Sequence, residues 1–533
     1  MEIKTIKQVI NSGDTSLGIE FGSTRIKAIL IGPNHTPLAA GSYDWENQFH
    51  DGVWTYSLDA ISHGLQGCYR KLKEDVLSQY SIELKTFGSI GISGMMHGYM
   101  VFDKNDKLLT PFRTWRNTNT FNACERLVQL FGYPIPHRWS IAHLYQAILD
   151  AEEHVPDISF ITTLAGYVHW QLTGEKVLGI CDASGMFPID IGTKHFDQRM
   201  MDQFDLLVSD KALAWQLSDI LPTILLAGDK AGSLTNGGAK LLDPSGSLEP
   251  GIPFCPPEGD AGTGMVATNS IARRSGNVSA GTSMFLMAVL EEELKKVHSE
   301  IDLLTTPVGD LVAMVHANNG CGDIDAWLKI FSELLDSLEI NISKSELYDT
   351  LYYLALAADS DCGGLLSYNY ISGESITGMK KGSPLFVRTS EAKFSLANFM
   401  RMQLYSALTT LRIGFDILCD DENVELDRLY GHGGFFKTEK VGQTIMAAAL
   451  HTPVSVLETA SEGGPWGMAL LAAYMRERNS EESLESYLNR IVFSDLKDNT
   501  INPDSEDVKG FERYLQLYKS GLPLEYMASE LSV

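Results

Sequence analysis

Ser16 to Ile31 reads SLGIEFGSTRIKAILI: an apolar run, a small-residue turn at Gly22-Ser23-Thr24, then a second apolar run. The pattern predicts a β-hairpin carrying a glycine and two hydroxyls at its tip. Residues 277–290 repeat the design as NVSAGTSMFLMAVL, with the turn at Gly281-Thr282-Ser283. Either hairpin alone reads as readily as an ordinary tight turn. Two of them, each opening one half of the chain, predict a duplicated architecture with phosphate held between the halves.

Working outward, Leu58, Ile61, Leu65, Cys68, Leu72 and Val76 are spaced by three and four, as in an amphipathic helix. A short buried strand is expected at 89–93, ending in the loop Gly94-Met95-Met96-His97-Gly98. Leu404, Leu408, Leu411, Phe415 and Leu418 mark a second helical stripe. These stripes read as core. The Pro- and Gly-rich stretch 243–262 separates the halves. A helix is expected at 438–450, and a surface loop at 495–507 before a final helix at 508–520. The expected division is an N-terminal extension (1–14), a first domain (15–272) and a second with a helical tail (273–533).

At 533 residues, with 44% hydrophobic and 21% charged side chains, the chain has material for two large cores. Its formal charge of −26 argues against nucleic acid and anionic membrane surfaces as partners. A nucleotide remains compatible, because backbone N–H groups and Mg²⁺ bind phosphate inside an acidic protein. The seven cysteines are scattered and form no C-x-x-C pair, which fits reduced, buried thiols. With no apolar run of about 18 residues and no secretory leader pattern, the expected location is the cytoplasm.

Several segments could carry chemistry. In the hairpin tips, glycine lets backbone N–H groups approach phosphate, Ser and Thr add hydroxyls, and Lys27 adds positive charge. Glu258-Gly259-Asp260-Ala261-Gly262-Thr263-Gly264 places an acid in a glycine-dense turn. There Asp260 could bind a hydrated cation and accept a hydroxyl proton, or serve as a helix N-cap. Gly431-His432-Gly433-Gly434 precedes a helix and suits a nucleotide lying against backbone. No G-x-x-x-x-G-K-[ST] occurs, so this is no P-loop protein. His97 reads equally as a partner for a sugar hydroxyl or as a satisfied core histidine. Trp115-Arg116-Asn117, Trp54 and Tyr56 read as an aromatic sugar wall or as packed loops.

Taken in order, these segments resemble the FGGY family of carbohydrate kinases, among them most nearly the xylulokinases, from about Leu17 to Ala473. The likeness rests on GIEFGSTRIKAIL, GISGMMHGYM, TWRNTNT, LTGE (172–175) and DASGM (182–186). The second half adds EGDAGTG, SAGTSM, YISGES (370–375), LYGHGG and EGGPWGMALLAA (462–473). The resemblance implies an α/β fold of two ribonuclease-H-like (actin-like ATPase) domains with an interdomain active-site cleft. Sugar would lie mainly on the N-terminal domain and ATP mainly on the C-terminal one, with Mg²⁺. It implies Asp260 as catalytic base and Glu20 with Asp260 at the metal. Met96, His97, Trp115, Arg116, Asn117 and Asp260 would meet the sugar. Gly22, Ser23, Thr24, Lys27, Gly281, Thr282, Ser283, Gly433, Gly434 and Lys437 would meet ATP.

The chain departs from the family pattern at four places. Glu20 stands where Asp is usual, and Arg116-Asn117 where Asn-Asp is usual. Ser375-Ile376-Thr377-Gly378 replaces Arg-Thr-Pro-His, and His432 interrupts a glycine triplet. The implied activity is ATP-dependent phosphorylation of a small sugar, a ketopentose such as xylulose. The alternatives are ribulose, fuculose, gluconate or a polyol as acceptor, or a degenerate kinase that senses sugar or ATP. A homodimer is compatible with the sequence.

Overall fold

The structure, a computed structural model, describes residues 3–457, 463–494 and 499–531. It divides into two compact units: Met1–Ile271 with Leu303–Val312 and Glu462–Asp495, and Ala272–Asp302 with Ala313–Ser461 and Leu496–Val533. The second unit is therefore not the unbroken 273–533 expected. The helix Gly463–Glu477 returns to the first.

Five strands form the first unit's main sheet: β1 (Ser16–Phe21), β2 (Arg25–Ile31), β3 (Pro37–Asp44), β4 (Ser89–Gly94) and β5 (Glu258–Gly259). Their spatial order is β5-β4-β1-β2-β3. β1 pairs antiparallel with β2 and parallel with β4, and β5 runs parallel to β4. This register sets Glu20 beside Lys27 on one side and Ser93 on the other, with Glu258 beside Ser93. The chain leaves β1, β4 and β5 at one end of the sheet, the carboxyl ends where open α/β sheets bind ligands.

Two helices cover this sheet through glycines. The helix Leu58–Tyr80 buries the expected stripe Ile61, Leu65, Cys68, Leu72 and Val76, and Ser57 caps it by accepting from the Ala60 N–H. Gly41 of β3 leaves no room for a Cβ against Cys68 and Leu72, so helix and strand meet backbone to backbone. Gly18 of β1 lies equally close to Pro465 and Ala469, and Gly467 to Thr263. The small residues of the GGPWGMALLAA segment thus seat its helix flush on β1 and on the helix Asp260–Ala267. Glu462 of that motif lies outside the described residues.

The second sheet has strands β6 (Ser275–Ala280), β7 (Met284–Val289), β8 (Ile301–Thr305), β9 (Leu311–Ala317), β10 (Arg428–His432), β11 (Val454–Ser455) and β12 (Thr500–Ile501), ordered β8-β9-β7-β6-β10-β11-β12. Within it, β9-β7-β6-β10-β11 repeats the first sheet's order, with β7 antiparallel to β6, β6 parallel to β10 and β10 parallel to β11. Both hairpins are thus the first two strands of a ribonuclease-H-like sheet, as expected.

Three local expectations are corrected. The helix expected at 438–450 starts at Val441, because a short 3₁₀ turn, Gly434–Phe436, comes first. The loop expected at 495–507 contains β12, which pairs antiparallel with β11; its residues 495–498 lie outside the description. The last helix is longer than expected, Ser505–Ser529, with Asp504 capping it through the Glu506 and Asp507 N–H groups. All seven cysteines are free. Among the described residues, no helix is long and apolar enough to cross a membrane.

Candidate active site

At the carboxyl ends of β1, β4 and β5 the first unit gathers its acids. Gly259, not Asp260, takes the N-cap position of the helix Asp260–Ala267, so Asp260 is its first residue. This corrects the N-cap reading and leaves the carboxylate to other work. The Met96 N–H donates to Asp260 Oδ1 at 3.4 Å. Asp260 stays open to solvent on one side. Its crowded surroundings, eased by the N–H groups of Met96 and Ala261, push its carboxyl up to about 6. Glu20 is pushed to about 8, by burial first and by the negative Asp260 second, while Lys27 pulls the other way. Gly464 sits directly on the Glu20 carboxylate, where any Cβ would collide with it.

Two loops border these acids. Met96 is buried, its side chain lying across Gly259, so its polar contribution is the backbone N–H. His97 adopts φ +70°, and its Nδ1 lies 3.1 Å from the Gly185 carbonyl. Burial first, then Arg138, holds its ring neutral, with its pKa down to about 3. A neutral ring donating from Nδ1 leaves Nε2 as an acceptor for a hydroxyl. Gly185, of the DASGM segment, has no room for a Cβ against this ring.

Asn117 is buried and its amide is committed to backbone. Oδ1 accepts from the Trp54 N–H (2.9 Å), while Nδ2 donates to Trp54 O (2.8 Å) and Thr114 O (2.9 Å). It braces Trp54 rather than offering groups to a ligand. Trp54 in turn carries the Arg116 guanidinium, 3.9 Å from its ring centre.

The first hairpin tip is held through its carbonyls. The Trp45 indole donates to Gly22 O (2.8 Å), the Tyr56 hydroxyl to Ser23 O (2.5 Å) and the Trp45 N–H to Thr24 O (3.1 Å). The Trp115 indole donates to Ser23 Oγ (3.1 Å), and Trp45 stacks on Tyr56 at 4.0 Å. Among the described residues the Ser23 and Thr24 N–H groups have no acceptor, which leaves two donors for an anion.

The second tip reaches the same state by other means. Cys321 N–H donates to Gly281 O (2.8 Å), Gly320 N–H to Thr282 O (2.7 Å), and Gly281 N–H to Ser283 O (3.0 Å). Gly433, at φ +102°, lies against Ala280 at the end of β6, where a Cβ would strike its carbonyl. Gly434 faces open space, and Lys437 and Gly433 are exposed. Gly281 too has room where its Cβ would be, with nothing nearer than Ser283 O at 3.9 Å. These two glycines leave a cradle that fits a phosphate or a ribose.

The donor set also fits Mg²⁺. Among the described residues no cluster of three or more His, Cys, Asp or Glu forms a closed metal cage. Glu20 and Asp260 are a two-carboxylate set, and Mg²⁺ bound with phosphates uses one or two protein carboxylates.

Sequence reasoning missed Trp45, the tie between Trp115 and Ser23, and the fit of Gly464 onto Glu20. Trp45 lies in no motif, and its partner is 23 residues away. The run of glycines at 463–464 was the available signal for the third.

Models of the FGGY family of carbohydrate kinases match nearly all of this: its N-terminal domain at residues 15–266 and its C-terminal domain at 276–476. The chain belongs to that family and is a sugar kinase, a phosphotransferase. It is 22% identical to the xylulose kinase of Haemophilus influenzae over 96% of this chain and 100% of that one. Among solved structures it resembles the ligand-bound xylulose kinase of Lactobacillus acidophilus, with TM-score 0.76 and 16% identity over 96% of this chain and 99% of that one. The gluconate kinase of the same organism is similar too, with TM-score 0.75 and 16% identity over 96% and 98%.

Proposed function

We propose that the protein phosphorylates a hydroxyl of a ketopentose such as xylulose with Mg-ATP, using Asp260 as general base. The observation that carries this reading is Asp260 itself, a carboxylate open to solvent at the ends of parallel strands, with its pKa raised towards neutrality. Such a group takes a proton from an attacking hydroxyl and releases it easily afterwards. His97 Nε2 accepts from a second hydroxyl, and the exposed face of Trp115 lies against the sugar's carbon skeleton. The Ser23 and Thr24 N–H groups and the Gly281–Ser283 tip hold phosphate oxygens. Glu20 with Asp260 would hold Mg²⁺, which when bound offsets phosphate charge. The rest is orientation, on which phosphoryl transfer chiefly depends.

The test is Asp260→Ala. Turnover of Mg-ATP with xylulose should fall at least about a hundredfold, the scale of a lost general base, while calorimetry still shows nucleotide binding. Near-normal turnover would remove Asp260 from the mechanism.

Arg116 favours a second reading, an acidic acceptor such as gluconate. The guanidinium is exposed, stacked on a braced Trp54, and has no carboxylate partner among the described residues. A fixed cation of this kind suits a carboxylate. Arg116→Ala should then cost about tenfold or more in kcat/KM on gluconate, the worth of a charged hydrogen bond, and little on xylulose. Equal losses on both would reject the acidic acceptor.

A further inference from the structure

Glu374 lies in YISGES, a motif to which the activity above gives no task. It is 1% exposed. Its Oε2 accepts from the Asn318 N–H (2.8 Å), the Asn319 N–H (3.2 Å) and Asn319 Nδ2 (3.2 Å). Asn319 is itself tied down: its Oδ1 accepts from the Ile371 and Ser372 N–H groups (2.9 and 3.0 Å). Asn369 Nδ2 donates to the carbonyls of Asn319 and Gly320 (2.9 and 2.8 Å). The next two residues, Gly320 and Cys321, are those whose N–H groups hold the second hairpin tip. Gly320 is pressed so close to Gly281 O and Thr282 O that it has no room for a Cβ.

The backbone of Glu374 is clamped as well, bonded in both directions to Met379 (2.7 and 2.9 Å) around the turn 375–378 that Gly378 closes at φ +69°. Ser375-Ile376-Thr377-Gly378 are thus the turn that this pair of bonds closes. From this geometry we propose that Glu374 is a positioning residue for the nucleotide's phosphates: through Asn318–Cys321 it fixes the Gly281–Ser283 tip with its N–H groups facing the ligand. The contact chain is continuous, and Glu374, Asn319 and Gly320 within it are buried, which lets one side chain set the geometry of a loop it does not touch. The proposal rests on the reading that this tip holds nucleotide.

Three full-length proteins test it: wild type, Glu374→Ala and Glu374→Gln. Calorimetric titration with Mg-ADP should give a dissociation constant about tenfold or more weaker for Glu374→Ala, the scale of a charge-assisted bond. Glu374→Gln keeps one acceptor oxygen and should recover much of the loss. Amide hydrogen exchange should rise in peptides covering 278–286 and 316–322 and stay unchanged in the first unit. Mg-ADP affinity within twofold of wild type in Glu374→Ala would overturn the proposal, as would faster exchange spread over the whole second unit. If Glu374→Ala does not fold, Glu374→Met, which fills the space without an acceptor oxygen, decides by the same two readings. If the wild type binds no Mg-ADP, the nucleotide assignment fails, and the exchange pattern alone still shows whether Glu374 holds the tip.

Discussion

The two hairpin tips present the same chemistry and are built differently. Each has a glycine and two hydroxyl residues, all three carbonyls accepting a hydrogen bond, and two N–H groups without an acceptor among the described residues. In the first, two of the three carbonyls are held by side chains, Trp45 and Tyr56. In the second, all three are held by main-chain N–H groups, two of them from the segment whose start bonds to the Glu374 carboxylate and the third from Gly281 itself. A tip held by side chains can be tuned residue by residue, and Trp115 ties this one to the loop proposed for the sugar. A tip held by backbone responds only when the supporting segment moves.

The largest expected difference follows from Trp45. It is 8% exposed, stacks on Tyr56, meets Phe21 edge-on at 5.8 Å, and supplies two of the three hydrogen bonds to the tip's carbonyls. Trp45→Ala removes the packing together with the indole's bond to Gly22 O, leaving the main-chain bond to Thr24 O, and should destabilise the first unit by about 3–5 kcal/mol, as for other buried aromatics. Chemical denaturation followed by circular dichroism would measure it. Glu374→Ala should shift that transition far less while weakening nucleotide binding more. Equal stability losses in the two variants would erase the distinction between the tips.

Much of the fold was readable because its signals are local. Ser16–Ile31 and 277–290 carry their turns within a few residues of their strands, and the 58–76 stripe needs only helical spacing. The homing of Gly463–Glu477 to the first unit depends on contacts of Gly18, Gly467 and Thr263 over hundreds of residues. No spacing rule reports those. The site divides in the same way. Asp260 stood out because a carboxylate in a glycine-rich turn is locally odd. Asn117 carried the right residue type for a ligand contact, yet spends its amide on Trp54, 63 residues away. Glu374 sat inside a quoted motif, but its partners are 55 and 56 residues distant.

A medium effect separates the two regions by pH. The first unit's site has carboxyls that titrate within the working range, Asp260 near 6 and Glu20 near 8. Only the ionised form of Asp260 accepts a proton. Since its crowded surroundings raise its pKa from 3.8, the inactive protonated form accumulates as pH falls through about 6. Turnover at saturating substrates should drop about tenfold per unit below that point. In the second unit His432, beside Gly433, is pushed below its usual range by burial. Binding of adenosine, which has no phosphate to titrate in this range, should therefore change less than turnover does. Parallel decline of both would place the titrating group at the nucleotide instead.

The smallest effect is the most selective. Tyr56→Phe keeps the stack on Trp45 and removes only the bond to Ser23 O. One neutral hydrogen bond is worth about 1 kcal/mol, roughly fivefold in an equilibrium constant. Turnover should fall a few-fold with stability almost unchanged, whereas Trp45→Ala lowers both. If Tyr56→Phe leaves turnover at the wild-type level, the side-chain scaffold around Gly22-Ser23-Thr24 serves stability alone, and the likeness of the two tips is one of shape rather than of work.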